Sequence, residues 1–248
     1  MFRPRVGLAS LSGEADADWA RAAAEYVGCA FLGGIALDEA TRAAAREMVD
    51  RDRSEFLPDD PLAFVDAQLQ ALTDAPLRPA YNVRSATLDP IERAAAVCRD
   101  HDAILELNAH CRQDEMCAAG AGESLLRTPA RLAEQVEAAA GTGADVSVKL
   151  RTEVDGVSLP ALAARLESAG ADAIHVDAMD SEAVVGDVAD ATDCFVVANN
   201  GVRDRETAFQ YFEYGADAVS VGRASDDVDV LQVVCEAADD WTAREAIR

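Results

Sequence analysis

The chain has 248 residues, half of them apolar by type, with 22 basic against 46 acidic side chains and a formal charge of −24. That composition excludes a disordered chain and supplies a full hydrophobic core. It offers no run of 18 apolar residues for a membrane span and no apolar stretch of a signal peptide, and its charge opposes binding to DNA.

Six cysteines, at 29, 98, 111, 117, 194 and 235, are scattered rather than spaced as a disulfide framework. A reducing, cytoplasmic setting is therefore expected. All basic residues but Lys149 are arginines. Acidic excess with almost no lysine is the composition expected of a halophilic archaeon. Codon bias towards Arg and Ala is the competing explanation.

In chain order, short apolar runs at 5–10, 29–35, 78–84, 103–110, 145–151, 171–177, 194–200 and 218–223 read as strands buried on both faces. Helical patterns lie between them at 16–27, 90–99, 129–140, 159–169, 204–214 and 227–238. Pro90, Pro129 and Pro160 fall at or near helix starts, where a missing N–H costs nothing. The stretch 42–73 is too long for one barrel helix and reads as a helical insertion of two helices broken near Pro58-Asp59-Asp60-Pro61. The tripeptide Gly-Ala-Asp recurs at 143–145, 170–172 and 215–217, each time before a strand. Its glycine suits the left-handed end of a helix. Eight strands alternating with a like number of helices predict a single-domain α/β chain, a (β/α)8 TIM barrel. A doubly wound open sheet is the alternative. It would want a Gly-rich fingerprint after the first strand, and none is there.

In such a barrel the active site lies at the C-terminal ends of the strands. The polar residues there are Asn82 and Arg84 on the third strand and Glu106, Asn108, His110 and Cys111 on the fourth. Lys149 and Arg151 follow on the fifth, His175 and Asp177 on the sixth. Asn199, Asn200 and Gly201 end the seventh strand, Gly222 and Arg223 the eighth. Polar groups inside apolar strands are costly without partners, so their convergence at one rim marks a site. The lone lysine, Lys149, suits an anionic ligand group or a cofactor ring. The loops after strands seven and eight are where these barrels commonly hold a phosphate. Cys111 opens a lid-like loop, 111–127, that is flexible around 118–122, and can act as acid or nucleophile. Neither a CxxC pair nor an HxH spacing is present, so no metal is expected.

The block Glu106-Leu107-Asn108-Ala109-His110-Cys111, followed by Gly120-Ala121-Gly122-Glu123-Ser124-Leu125-Leu126, resembles the Asn-x-x-Cys and Gly-x-Gly-x-x-Leu-Leu block of the dihydrouridine synthases. Val148-Lys149-Leu150-Arg151 resembles that family's Val-Lys-x-Arg strand. Ile174-His175, Ala198-Asn199-Asn200-Gly201 and Val221-Gly222-Arg223 follow in the family's order. The resemblance covers about residues 100–225 and is to a short archaeal branch, more distantly similar to dihydroorotate dehydrogenase. It implies an FMN-dependent oxidoreductase with NAD(P)H as electron donor. Lys149 and His175 would contact the flavin ring, with Asn82 in place of a usual Gln. Asn108, Asn199, Asn200, Gly201, Gly222 and Arg223 would complete the cofactor site. Cys111, with His110 beside it, would protonate C5 of a uracil ring while hydride goes to C6. Arg112, Arg151 and Asp177 would face the substrate, a pyrimidine in tRNA or in a small molecule.

Two departures stand out: Arg112 replaces the family's usual Pro, and Val176-Asp177-Ala178 replaces Gly-Arg-Thr. A counterpart of the family's C-terminal helical RNA-binding domain is not expected after the eighth strand. A flavin enzyme for a free pyrimidine, of the dihydroorotate or dihydropyrimidine dehydrogenase kind, and a non-catalytic flavin- or phosphate-binding barrel stay open as alternatives.

The charge alone generates an expectation. Screening lengths fall from about 10 Å at 0.1 M salt to about 3 Å at 1 M. Relief of self-repulsion should therefore raise the melting temperature steeply as KCl increases across that range. A melting temperature independent of KCl would leave codon bias as the explanation.

Overall fold

The computed structural model describes residues 1–247. Eight parallel strands close into a barrel in sequence order: β1 (Val6–Leu8), β2 (Cys29–Ala36), β3 (Arg78–Arg84), β4 (Ile104–Asn108), β5 (Asp145–Arg151), β6 (Ala173–Asp177), β7 (Phe195–Asn199) and β8 (Ala218–Val221). Ten α-helices accompany them: α1 (Ala17–Ala22), α2 (Glu39–Val49), α3 (Pro61–Gln70), α4 (Leu88–Asp100), α5 (Asp114–Ala118), α6 (Pro129–Ala140), α7 (Leu159–Ser168), α8 (Val184–Ala189), α9 (Arg205–Glu213) and α10 (Val228–Glu245). None of these is long and apolar enough to cross a membrane.

The acidic composition builds local structure. Five helices, α1, α2, α3, α9 and α10, start on an aspartate whose side chain accepts backbone N–H groups of the first turn. Such caps contribute about 1 kcal/mol each. The Gly-Ala-Asp joints work at both of their ends. Gly143, Gly170 and Gly215 all have positive φ, at 83°, 103° and 96°. Asp172 Oδ2 then accepts from Val146 N at 2.8 Å, and Asp217 Oδ2 from Val196 N at 2.8 Å. Each aspartate thus satisfies the N–H near the start of a neighbouring strand. Asp145 pairs instead with Arg78, at 2.7 Å.

The strands alternate between two cores. Outward side chains such as Val6, Leu105, Val148, Ile174 and Val219 join the helices in the main cluster. Inward side chains are stratified. At the N-terminal end the barrel is filled by Phe2, Cys29, Phe31, Ile104, Val197 and Ala218. Above them the interior turns polar, with Asn82, Glu106, Ser147, His175 and Ser220 all fully buried. This polar layer lies below the rim that carries the site.

Several elements differ from the sequence reading. Helix α1 stops at Ala22, short of the expected 27, because the chain breaks into turns before β2. Helices α2 and α3 occupy the long stretch between β2 and β3. Phe56 between them bridges in parallel to Ile35, which draws the excursion against the barrel edge. The segment read as a flexible lid is folded. It carries α5 and a 3-10 turn, Gly122–Arg127, and buries Met116 and Ala121 against Ala44, Ala45 and Met48 of α2.

Gly34 is required by close approach. A Cβ on Gly34 in β2 would collide with Asn82 Oδ1 and crowd Arg84 at 3.2 Å. Gly34→Ala should therefore cost about 1–3 kcal/mol of stability, as overpacking does. Gly222→Ala, where a Cβ meets nothing within 4 Å, should be near neutral. Denaturant midpoints of the two variants check this, and equal midpoints would contradict it.

Candidate active site

A single hydrogen-bonded network runs across the barrel interior, centred on the carboxylate of Glu106. Oε1 accepts from Asn82 Nδ2 at 2.7 Å. Oε2 accepts from Ser147 Oγ at 3.3 Å and faces His175 Nδ1 at 2.7 Å. The far side of the imidazole, Nε2, lies 2.8 Å from Ser220 Oγ, which in turn donates to Asn199 Oδ1 at 3.2 Å. In the other direction Asn108 Nδ2 donates to Asn82 Oδ1 at 2.8 Å. Asn108 Oδ1 accepts from the backbone N–H of Cys111 at 3.0 Å and of His110 at 3.3 Å. The loop after β4 is thereby hung from the barrel interior. Its turn closes where Glu123 N donates to Cys111 O at 2.9 Å. Gly122, at φ 61°, is needed there because a Cβ would strike that same carbonyl.

Above this network a cavity of about 730 Å³ opens at the C-terminal ends of the strands. That is within the usual size of a small-molecule site. His110, Cys111, Arg112, Lys149 and Arg151 line it from the ends of β4 and β5. Asp177, Asn199, Asn200, Gly201, Gly222 and Arg223 line it from the ends of β6, β7 and β8. Asn82, Asn108 and His175 do not reach it. They lie one layer lower, at 0–3% exposure, because Glu106 and its partners take up their polar atoms. His175 sits beneath the cavity floor, where Phe31 packs 4.7 Å from its ring centre.

Charge is concentrated at the cavity. Lys149 is 1% exposed, and among the described residues its ammonium has no ion-pair or hydrogen-bond partner. Burial holds its pKa below the ordinary lysine value, while Glu106 and Asp177 pull the other way. Burial pushes Glu106 up, but His175, Lys149 and the bond from Asn82 outweigh it and leave the carboxyl below its usual range. Burial, with the positive charge of Lys149, holds both imidazoles down: His175 falls below the ordinary value and His110 well below it. His110 is therefore neutral near pH 7 and faces Asn108 Oδ1 with Nδ1 at 3.2 Å.

The rim after β7 and β8 has a different character. Asn200 and Gly201 both have positive φ, at 99° and 68°. Among the described residues, the backbone N–H groups of Gly201, Val202, Gly222 and Arg223 find no acceptor. Successive free N–H groups of this kind form a concavity for an anion.

Three cavity-wall features escaped the sequence reading. Arg84 pairs with Glu55 at 2.6 Å, with the two side chains 2% and 1% exposed, and also bonds Ser12. Arg151 pairs with Glu123 at 2.7 Å. Among the described residues, Glu55 Oε1, Arg84 Nε and Arg151 Nε remain buried without a partner. Ser220 is the third, and it had a signal: it is the one polar residue of the four in β8. Glu55 had none, because only the packing of the excursion between β2 and β3 brings it to the barrel.

The two imidazoles set a pH dependence. The unfolded chain protonates its histidines below about pH 6.5, whereas the folded chain resists. Their contribution is fully present above that value and is lost as the pH falls through it. The melting temperature should be level between pH 7 and 8 and decline from about 6.5 downward. The decline should be shallower in His175→Asn. An identical decline in the variant would show that His175 does not resist protonation.

Comparisons place this geometry among known proteins. The chain is 27% identical over 232 residues to an uncharacterized protein of Methanocaldococcus jannaschii, covering 88% of each. It superposes on FabK (M276A) of Thermotoga maritima with a TM-score of 0.60 at 14% identity, over 90% of this chain. It spans 63% of that FabK chain, less than two thirds of its length. It superposes on 3-hexulose-6-phosphate synthase of Salmonella typhimurium with a TM-score of 0.59 at 16% identity, over 96% and 99% of the two chains. These two likenesses are of fold. A family model described as dihydrouridine synthase (Dus) matches residues 81–232, the stretch from β3 into α10 that supplies most of the cavity. With more than half of its length matched in this way, the chain belongs to the dihydrouridine synthase family.

Proposed function

We propose that the protein is an FMN-dependent oxidoreductase that reduces the C5–C6 double bond of a uracil-type ring, with NAD(P)H as electron donor. The observation that carries this reading is Lys149, a buried cation without a partner among the described residues, in a cavity shared with Cys111. The residues fit the cofactor. Lys149 offers a fixed positive charge to an electron-rich ring, and the free N–H groups of the β7 and β8 loops, with Arg223, suit its phosphate. The orphaned Arg151 Nε and Glu55 Oε1 leave further bonding capacity at the wall.

When bound, the flavin supplies the hydride and accepts electrons from the donor. The protein supplies orientation and the proton. Addition of hydride at C6 leaves negative charge towards C5, which a proton must quench. Cys111 donates it from the thiol, and the thiolate left behind is reprotonated from solvent. Asn108 fixes the Cys111 backbone, so the position of the acid depends on the network below. His110 is neutral and does not replace Cys111 as proton donor. His175 acts through Glu106 and Ser220 as a positioning residue.

Protein purified in molar KCl should show flavin absorbance and release FMN on denaturation. Lys149→Ala should lower FMN occupancy, and Arg46→Ala, at an exposed surface pair with Glu39, should not. Cys111→Ala should keep FMN and its reduction by NAD(P)H, but slow reoxidation by the pyrimidine substrate about 10²–10⁴-fold. Cys117→Ala should cost far less. A colourless protein that binds no added FMN would overturn the cofactor reading. Wild-type reoxidation in Cys111→Ala would overturn the role of that thiol.

A further inference from the structure

Seven arginine and lysine side chains line the cavity, against the carboxylates of Glu55 and Asp177, in a chain whose net charge is −24. Arg84 and Arg151 are engaged by Glu55 and Glu123. Arg53, Arg112 and Arg223 are not: among the described residues their guanidinium groups make no ion pair or hydrogen bond. With two acids for every base in the chain, cations at one opening would readily find carboxylates if neutralisation were their role.

The unpaired arginines approach from two sides. In a closed ring of eight strands in sequence order, β4 and β8 stand opposite one another. Arg112 follows β4, and Arg223 follows β8 beside the free N–H groups of the β7 and β8 loops. Arg53 comes from the excursion between α2 and α3. Arg51 fastens that excursion to the β4 loop, with Nε 2.6 Å from Glu115 Oε1 and Nη2 3.3 Å from Gln113 Oε1. This places Arg53 and Arg112 on one side of the cavity; Glu115 bonds Arg51 directly and meets Arg53 only through space.

We infer that Arg53 and Arg112 form a second anion subsite, across the cavity from the β7 and β8 loops, that holds a phosphate carried by the pyrimidine substrate itself. This rests on the preceding reading, in which the loops after β7 and β8 take the phosphate of the cofactor. A single cofactor phosphate cannot occupy both ends of the cavity. Two guanidinium groups free of internal partners are suited to bidentate bonds with phosphate oxygens. The ligand chemistry is that of a pyrimidine nucleoside phosphate, either the monoester of a free nucleotide or the diester of an RNA strand.

The test is equilibrium binding at one fixed KCl concentration to the protein as purified, with uridine, uridine 5′-monophosphate and a short uridine-containing oligoribonucleotide as probes. The better phosphorylated probe should bind about tenfold or more tighter than uridine, the range of a charge-assisted contact. Arg53→Gln/Arg112→Gln should abolish that advantage and leave uridine affinity and FMN content in place. Arg93→Gln, on the exposed face of α4, should preserve it. In the wild type the advantage should shrink as KCl rises. Preference for the monophosphate assigns the monoester as the source, and preference for the oligomer the diester. Equal binding of uridine and both phosphorylated probes, or an advantage retained in the double variant, overturns the subsite and leaves the flavin reading intact. Loss of FMN from a folded double variant also overturns it, because the arginines would then serve the cofactor. An arginine-dependent advantage in a protein that binds no FMN keeps the subsite and overturns the flavin reading.

Discussion

A carboxylate buried in the middle of a closed barrel has to find all its partners inside that barrel. Glu106 is such a group, fully buried, and stranding its charge would cost several kcal/mol. Asn82, Ser147 and His175 reach it from β3, β5 and β6. Each partner then needs partners of its own, and the chain of requirements ends at the rim. Through Asn108 it fixes the backbone of Cys111, and through Ser220 it reaches Asn199. The position of the Cys111 backbone is thus tied, through Asn82 and Asn108, to one satisfied charge. Lys149 supplies the opposite charge from above without forming an ion pair, which leaves its ammonium available to the cavity.

The molecule has two electrostatic faces. Outside, acidic side chains dominate, and five of them serve as helix caps. Inside the cavity the balance reverses. The excursion that contains α2 and α3 contributes to this reversal, because it brings in Glu55 to hold Arg84 and also presents Arg53. Low-dielectric walls lined by one sign of charge focus the field at the opening, so an anionic ligand repelled by most of the surface meets an attractive potential there.

Much of the barrel was legible because its signals are local. Buried parallel strands read as short apolar runs, and the three Gly-Ala-Asp joints announce helix ends that do take positive φ at Gly143, Gly170 and Gly215. Alternation within β4 and β5 marked Glu106, Asn108 and Lys149 as inward-facing. Depth along the barrel axis was not legible. Asn82 and His175 have the same alternation as residues that line the cavity, and only strand stagger places them a layer lower. The stretch after Cys111 read as mobile because it is rich in Ala and Gly. Its order comes from contact with α2, more than sixty residues earlier in the chain, a relation no local pattern carries. Glu55 was invisible for the same reason.

The aspartates of the Gly-Ala-Asp joints bear on any attempt to re-engineer this protein for dilute buffer. Trimming negative charge by replacing acidic residues wholesale would treat every carboxylate as surface decoration. Asp172 and Asp217 are half-committed to the barrel wall, each closing the N–H of a neighbouring strand. Burial already raises the Asp172 carboxyl above its ordinary value, against the bond from Val146 N. An alanine there would leave the Val146 N–H open at the seam between two strands. A redesigned surface would do better to draw its neutral substitutions from solvent-facing positions such as Glu39 or Asp100 and keep these two intact.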